Sequence, residues 1–290
     1  MSTHLRPDML ASSRSAFRSR GQAMIEFVII IPVLLLLIFG AVQIAFIYSA
    51  KTTLNYATFQ AARVGATNHA TYSALRRGLI RGMAPLFTNN ARLDDVRSDI
   101  EAGIDSGGTR RDAVSEVDTY TRIIRINPTS TMLDVGGFGR VADDGNVAIP
   151  NDNLMYRPAS TVDGATIQDA NLLKIRVQYC YKLMVPIVNK IIGSLSELNN
   201  RKDASSYRQY HTVNDPRFAD ANIGEVDAAA GVNAGMTATY AELCGDRAGN
   251  KEGFIIFADA IVRMQSAPYA EDTDEDFESI MCNGSKMACP

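Results

Sequence analysis

Residues 20–47 read RGQAMIEFVIIIPVLLLLIFGAVQIAFI. From Phe27 to Ile47 the only polar side chain is Gln43, a run of 21 residues. At a rise of roughly 1.5 Å per residue this run makes about 31 Å of helix, close to the thickness of a bilayer core. The stretch decides the architecture: one spanning helix early in the chain, with everything after residue 48 on one side of it.

The flank sets the direction. Arg6, Arg14, Arg18 and Arg20 precede the run, against the single acid Asp8. Basic residues stay on the cytoplasmic side, so the N-terminus is inside and the remainder outside. Lys51 follows the run closely, but one charge does not outweigh four. A cleaved secretory signal fits less well. Its apolar region is about 7–15 residues and ends in small residues, whereas Tyr48-Ser49-Ala50 places a ring there.

The edge of the run is more specific than the run. Gly21 follows the basic residues, and Glu26 stands five residues later, at the start of the apolar stretch. A carboxylate taken into lipid costs a few kcal/mol or more, and a mere anchor needs neither residue. The arrangement resembles a class III, or type IV, prepilin signal. That resemblance implies cleavage by a prepilin peptidase after Gly21, with Gln22 as the new N-terminus. Glu26 would then pair its carboxylate with the α-amine of a neighbouring subunit, neutralising two charges that are costly in an apolar setting. Gly21, Glu26-Phe27, Pro32, Gly40 and the run Asn55-Tyr56-Ala57-Thr58-Phe59-Gln60-Ala61-Ala62-Arg63 together resemble the TadE-like family. These are minor pilin-like proteins of the Tad (tight adherence) pilus system, and the resemblance covers about residues 20–66. It implies a minor pilin or pseudopilin of a Tad/Flp-type (type IVc) pilus. Its partners would be the prepilin peptidase, other pilins, Tad assembly proteins and membrane lipid. Its place would be the bacterial inner membrane, with a periplasmic C-terminal domain. Pro32 removes one helix donor and leaves the Val28 carbonyl short of a partner, so a kink is expected there.

The rest of the composition excludes more than it selects. With 29 Lys+Arg against 32 Asp+Glu, a formal charge of −3, nucleic-acid binding by bulk charge has no support. His69 and His211 are the histidines outside the leader, and neither sits in a zinc-hydrolase pattern, so both read as solvent-facing loop residues. Gly136-Gly137-Phe138-Gly139 lacks a phosphate-loop spacing and reads as a flexible loop. No Gly-x-Ser-x-Gly elbow occurs. Asp143-Asp144-Gly145-Asn146 and the acidic stretch 271–278 lack the EF-hand order, and the acidic stretch reads as solvated. No enzyme, metal or cofactor is expected. An unprocessed single-pass binding protein or a tethered hydrolase is the alternative reading.

Four cysteines, Cys180, Cys244, Cys282 and Cys289, fall on the outer side. An even number in an oxidising compartment reads as disulfides, with three connectivities open. Cys180–Cys244 with Cys282–Cys289 is favoured, because Cys180 is on a strand that a loop bearing Cys244 can cover.

After the span, Ala50, Leu54, Ala57, Ala61 and Val64 form one stripe, so the helix continues amphipathically, with Thr58 off the stripe. A second helix is predicted at Tyr72–Met83, weakened by Gly78 and Gly82 and closed by Pro85. Residues 88–118 read as polar loop with a helix at 94–102, and 121–126 as a strand. Residues 127–171, punctuated by Gly and Pro, read as long surface loops. Residues 172–185 alternate apolar and polar and predict a strand with one buried face. A helix at 187–198, polar loops at 199–250 and a central apolar strand at 254–265 follow. The expected organisation is a leader at 1–21, a transmembrane helix at 22–48, a helical extension at 49–87 and a periplasmic domain at 88–290. The class is α+β: a long N-terminal helix packed at its outer end on a small antiparallel sheet, in pilin-like fashion.

Overall fold

The computed structural model describes residues 19–87, 108–142, 145–200, 238, 240–270 and 287–288. The helix expected at 94–102, the acidic stretch 271–278, His211, Cys282 and Cys289 lie outside the described residues. The protein divides into two units, Met1–Val42 and Gln43–Pro290.

Helix α1, Ser19–Thr67, contributes to both units. In the first unit its large apolar side chains, Phe27 and Leu37 among them, are exposed. A helix apolar all round is suited to lipid rather than water. Its segment Met24–Thr67 is long and apolar enough to cross a membrane.

In the second unit α1 is one-sided. Ala50, Leu54, Ala57, Ala61, Ala62 and Ala66 are buried in the main core. Thr58 joins them, contrary to its placement off the stripe. Its hydroxyl donates to the Leu54 carbonyl at 2.8 Å, which satisfies it without water. Small side chains let a second helix approach. Helix α2, Tyr72–Met83, packs here, and a Cβ on Gly78 or Gly82 would collide with the backbone of Ala61 or Ala57. The glycines that weaken α2 intrinsically are those that seat it. A 3₁₀ turn at Ala84–Phe87 ends it around Pro85.

Helix α3, Gly108–Tyr120, occupies a stretch expected as loop and buries Ala113 and Val117. Arg76 of α2 grips Asp118 of α3 through two hydrogen bonds of 2.6 and 2.7 Å. Strand β1, Thr121–Asn127, follows directly.

Residues 127–171 are not simply surface loops. Helix α4 (Ser130–Leu133), the paired strands β2 (Arg140–Val141) and β3 (Val147–Ala148), the hairpin of β4 (Thr161–Val162) and β5 (Ala165–Thr166), and helix α5 (Ile167–Ala170) enclose a separate small core. Met132, Leu133, Phe138, Ile149 and Ile167 fill it. The Gly136–Gly139 stretch is packed, because Phe138 is buried and Gly137 and Gly139 lie against backbone carbonyls. Short apolar runs between turns made this core hard to read.

Strand β6, Leu172–Lys182, is central. The sheet order is β7-β6-β1-β8, where β7 is Gly253–Arg263 and β8 is Met287–Ala288. Both long neighbours run antiparallel to β6, and β8 pairs parallel with β1. Among the described strands, β7, expected at the centre, lies at an edge. Helix α6, Val188–Asn200, covers part of that edge: the Ser196 hydroxyl accepts the Ile255 N–H at 3.4 Å.

One face of β6 (Leu173, Ile175, Val177, Tyr179) faces α1 and α2 in the main core. The polar face is buried as well, against expectation. Arg176 pairs with Asp259 directly opposite on β7, at 2.6 and 2.9 Å. Gln178 exchanges two hydrogen bonds with the backbone of Ala238, at 2.8 and 3.0 Å. Satisfied polar groups can be buried, so the alternation marked two chemistries rather than inside and outside.

Candidate cleavage and assembly segment

Gly21, Gln22, Glu26, Phe27 and Pro32 all lie on α1 in the first unit. Gly21 lies two residues after Ser19, the first described residue of α1. Glycine lowers helical preference there by about 1 kcal/mol relative to alanine. Gln22 and Glu26 are four residues apart, hence on one face with about 6 Å of axial rise between them. An α-amine at residue 22 would stand one turn from this carboxylate. Glu26 and Phe27 are exposed. Pro32 is inside α1, which is helical on both sides of it.

The second unit holds a different constellation, around the sulfurs. Helix α7, Tyr240–Cys244, leads into helix α8, Asp246–Gly249. Cys180 of β6 and Cys244 of α7 form a disulfide with a Cα–Cα distance of 5.3 Å. Gly253 lies against both sulfurs, where a Cβ would collide with each. Next to it, Arg247 makes an ion pair with Glu116 of α3 and donates to the Cys180 carbonyl at 2.8 Å. Its guanidinium lies 3.5 Å from the centre of the Tyr120 ring. The Tyr179 hydroxyl donates to Glu116 at 3.3 Å, and the Tyr120 hydroxyl donates to Asp246 at 2.6 Å. Burial first, then the Glu116 charge, pushes the Tyr179 phenol up. Burial works against the Arg247 cation, but Glu116 outweighs it and holds the pKa above its ordinary value. These groups tie α3, β6 and α8 together; their chemistry is that of a clamp.

The sequence reading missed this cluster, since Glu116 and Arg247 are 131 residues apart. It also placed His69 in solvent. His69 is half-buried, stacks on Tyr269 at 4.0 Å between ring centres, and has Nδ1 2.8 Å from the Ala267 carbonyl. A third missed contact had a visible signal. Gln43, alone in the apolar run, is buried, and its Oε1 accepts the Val185 N–H at 2.8 Å. Near it, Ile44, Ile47, Tyr48 and Lys51 of α1 and residues 254–257 of β7 line a groove of about 450 Å³.

Neither the curated proteins nor the solved structures yield a match to the chain. Family comparison does: residues 21–63 match the model of the family described as TadE-like protein. Residues 21–63, which run from Gly21 to just past the buried Ala61 and Ala62 of α1, are therefore similar to the TadE-like family, a family of the Tad pilus.

Proposed function

We propose that this protein is a TadE-like minor pilin or pseudopilin that acts in assembly of a Tad/Flp-type pilus used for adherence or secretion. The observation that carries the reading is the family match beginning at Gly21, with Glu26 five residues on and the apolar run behind it. The chain is held in the bacterial inner membrane by α1, N-terminus inside, with its disulfide-bearing domain in the periplasm. A prepilin peptidase cuts between Gly21 and Gln22. Cleavage removes four arginines and one aspartate, leaving 25 bases and 31 acids, a formal charge of −6. Other pilins and Tad assembly proteins then receive the matured chain, with Glu26 facing a neighbour's amine. A kink at Pro32 would ease the helix out of the bilayer.

Intact-mass measurement and N-terminal sequencing of protein from membranes test this reading. The expected N-terminus is Gln22, and Gly21→Val is expected to block cleavage by crowding the cut bond. A full-length N-terminus from cells with an active prepilin peptidase would overturn it in favour of an unprocessed anchored protein.

A further inference from the structure

The corner between β6 and α6 carries an apolar surface whose position along α1 identifies what it meets. The Val185 N–H is bonded to Gln43 at 2.8 Å. Gln43 stands four residues before the end of the apolar run, about 6 Å of helix inside it. The bond therefore holds the 183–187 turn at a level of α1 that the sequence assigns to lipid. The side chains presented there suit that level. Met184, Ile187, Ile191 and Leu195 are 58%, 69%, 47% and 60% exposed. Ile191 and Leu195, four residues apart, share one stripe of α6, and Ile187 stands just before the helix begins.

The opposite face of α6 is fixed, so the stripe cannot turn inward. Val188 and Ser196 are buried, and Gly193 lies so close to the Lys251 carbonyl that a Cβ would overlap it. The Lys190 ammonium donates to the Asn250 carbonyl at 2.7 Å. Ile187 has φ of 70°, in the left-handed region where a branched side chain is strained and glycine is not. An isoleucine held in that conformation with its side chain outward gains nothing from water and gains transfer energy from an apolar phase. Lys182, exposed two residues before Met184, has a stem long enough to keep its charge at a headgroup layer.

We infer that the β6–α6 corner is an interfacial membrane-binding surface. Met184, Ile187 and Ile191 enter the acyl–headgroup boundary of the leaflet from which α1 emerges, and Lys182 meets phospholipid phosphates. This rests on the membrane-anchored reading of α1, and it adds a second point of attachment that fixes the tilt of the domain on the bilayer.

The sequence contains no tryptophan, so one introduced indole reports its own surroundings. Full-length Phe39→Trp, Ile191→Trp and Met155→Trp chains are reconstituted in phosphatidylethanolamine–phosphatidylglycerol vesicles, with and without brominated acyl chains. Met155 lies in the 3₁₀ turn Leu154–Tyr156 and is exposed. That turn belongs with the small core, which joins the rest near the other end of α1, where Tyr269 bonds His69 and Pro268 bonds Ile149. The indoles at 39 and 191 are expected to emit at shorter wavelength and be quenched by bromine, and the one at 155 to show neither. Quenching at 39 with none at 191 would overturn the surface and leave the anchor standing. No quenching at 39 would overturn both. A blue-shifted but unquenched indole at 191, dependent on the protein-to-lipid ratio, would assign the stripe to a second copy and overturn the lipid contact. The Cys180–Cys244 bond, read by non-reducing electrophoresis, reports that each variant is folded.

Discussion

Arg247 is the residue on which three elements converge: it neutralises Glu116 of α3, satisfies the Cys180 carbonyl of β6 and begins in α8. Its side chain is 8% exposed and that of Glu116 is 20% exposed. Removing one member of such a pair leaves the other desolvated and alone, which typically costs about 3–5 kcal/mol. Arg247→Met is expected to lower unfolding stability by that order, measured by denaturant unfolding in detergent. A Glu116→Gln/Arg247→Met double variant should recover part of the loss, since no charge is then stranded. The tyrosines here give a pH signature. Burial holds the phenols of Tyr179, Tyr181 and Tyr240 above their ordinary value, and for Tyr120 the hydrogen bond to Asp246 is the larger cause. A raised folded value contributes stability fully below the unfolded phenol value of about 10 and loses it as pH rises beyond. Stability should therefore fall above about pH 10, and a Tyr179→Phe chain should fall less steeply. At the other end of the chain, Glu26→Leu is expected to insert and be cut yet fail to support pili, because a neighbour's amine then has no carboxylate. Normal piliation in that variant would reduce Glu26 to a helix-end residue.

The α1–α2 contact depends on the absence of side chains. At Gly82 an added Cβ would overlap Ala57, whereas at Gly249 of α8 it would meet nothing. Alanine is the better helix former by about 1 kcal/mol, yet overpacking a fixed contact costs about 1–3 kcal/mol. Gly82→Ala is therefore expected to be destabilising on balance and Gly249→Ala neutral or mildly stabilising, read as opposite shifts in thermal unfolding. The element scale also shows where the sequence was legible. Period-dependent features were: the α1 stripe, the span of α2 at Tyr72–Met83 and the alternation of β6. Features set by distant partners were not. Strand β7 looked central because it is apolar, but apolarity does not distinguish a middle strand from an edge whose cover is a helix. The second face of β6 looked solvated because its residues are polar. Their partners, Asp259, Ala238 and Cys244, are 60 or more residues away and leave no local trace. The TadE-like resemblance of residues 21–63 was legible as a motif, since it lies in the order Gly21, Glu26, apolar run rather than in a tertiary contact.

At the scale of the molecule, a long helix must serve two solvents. Its first unit exposes apolar side chains throughout, and its second hides small ones against a sheet. The sheet in turn relies on a covalent tie on its far face. The Cys180–Cys244 bond closes a loop across 64 residues, which includes positions 201–237. In the chain-entropy picture a loop of that length restricts the unfolded chain by about 4 kcal/mol. The bond also joins β6 to α7 where Gly253 leaves room for both sulfurs, so the native side is accommodated rather than forced. A Cys180→Ala/Cys244→Ala chain is thus expected to lose stability by up to about 4 kcal/mol while keeping the β6–β7 pairing, because the antiparallel ladder and the Arg176–Asp259 pair across it remain. Differential unfolding of the two chains in the same detergent measures the loss. The compartment can be read from the same bond. With the domain outside, thiol alkylation of protein from cells with normal periplasmic oxidation should leave residues 180 and 244 unmodified. Cells unable to oxidise periplasmic thiols should yield both alkylated, with the lower stability of the alanine pair. Alkylation of both residues in the oxidising strain would place the domain on the reducing side of the membrane, and the orientation drawn from Arg6, Arg14, Arg18 and Arg20 would have to be reversed.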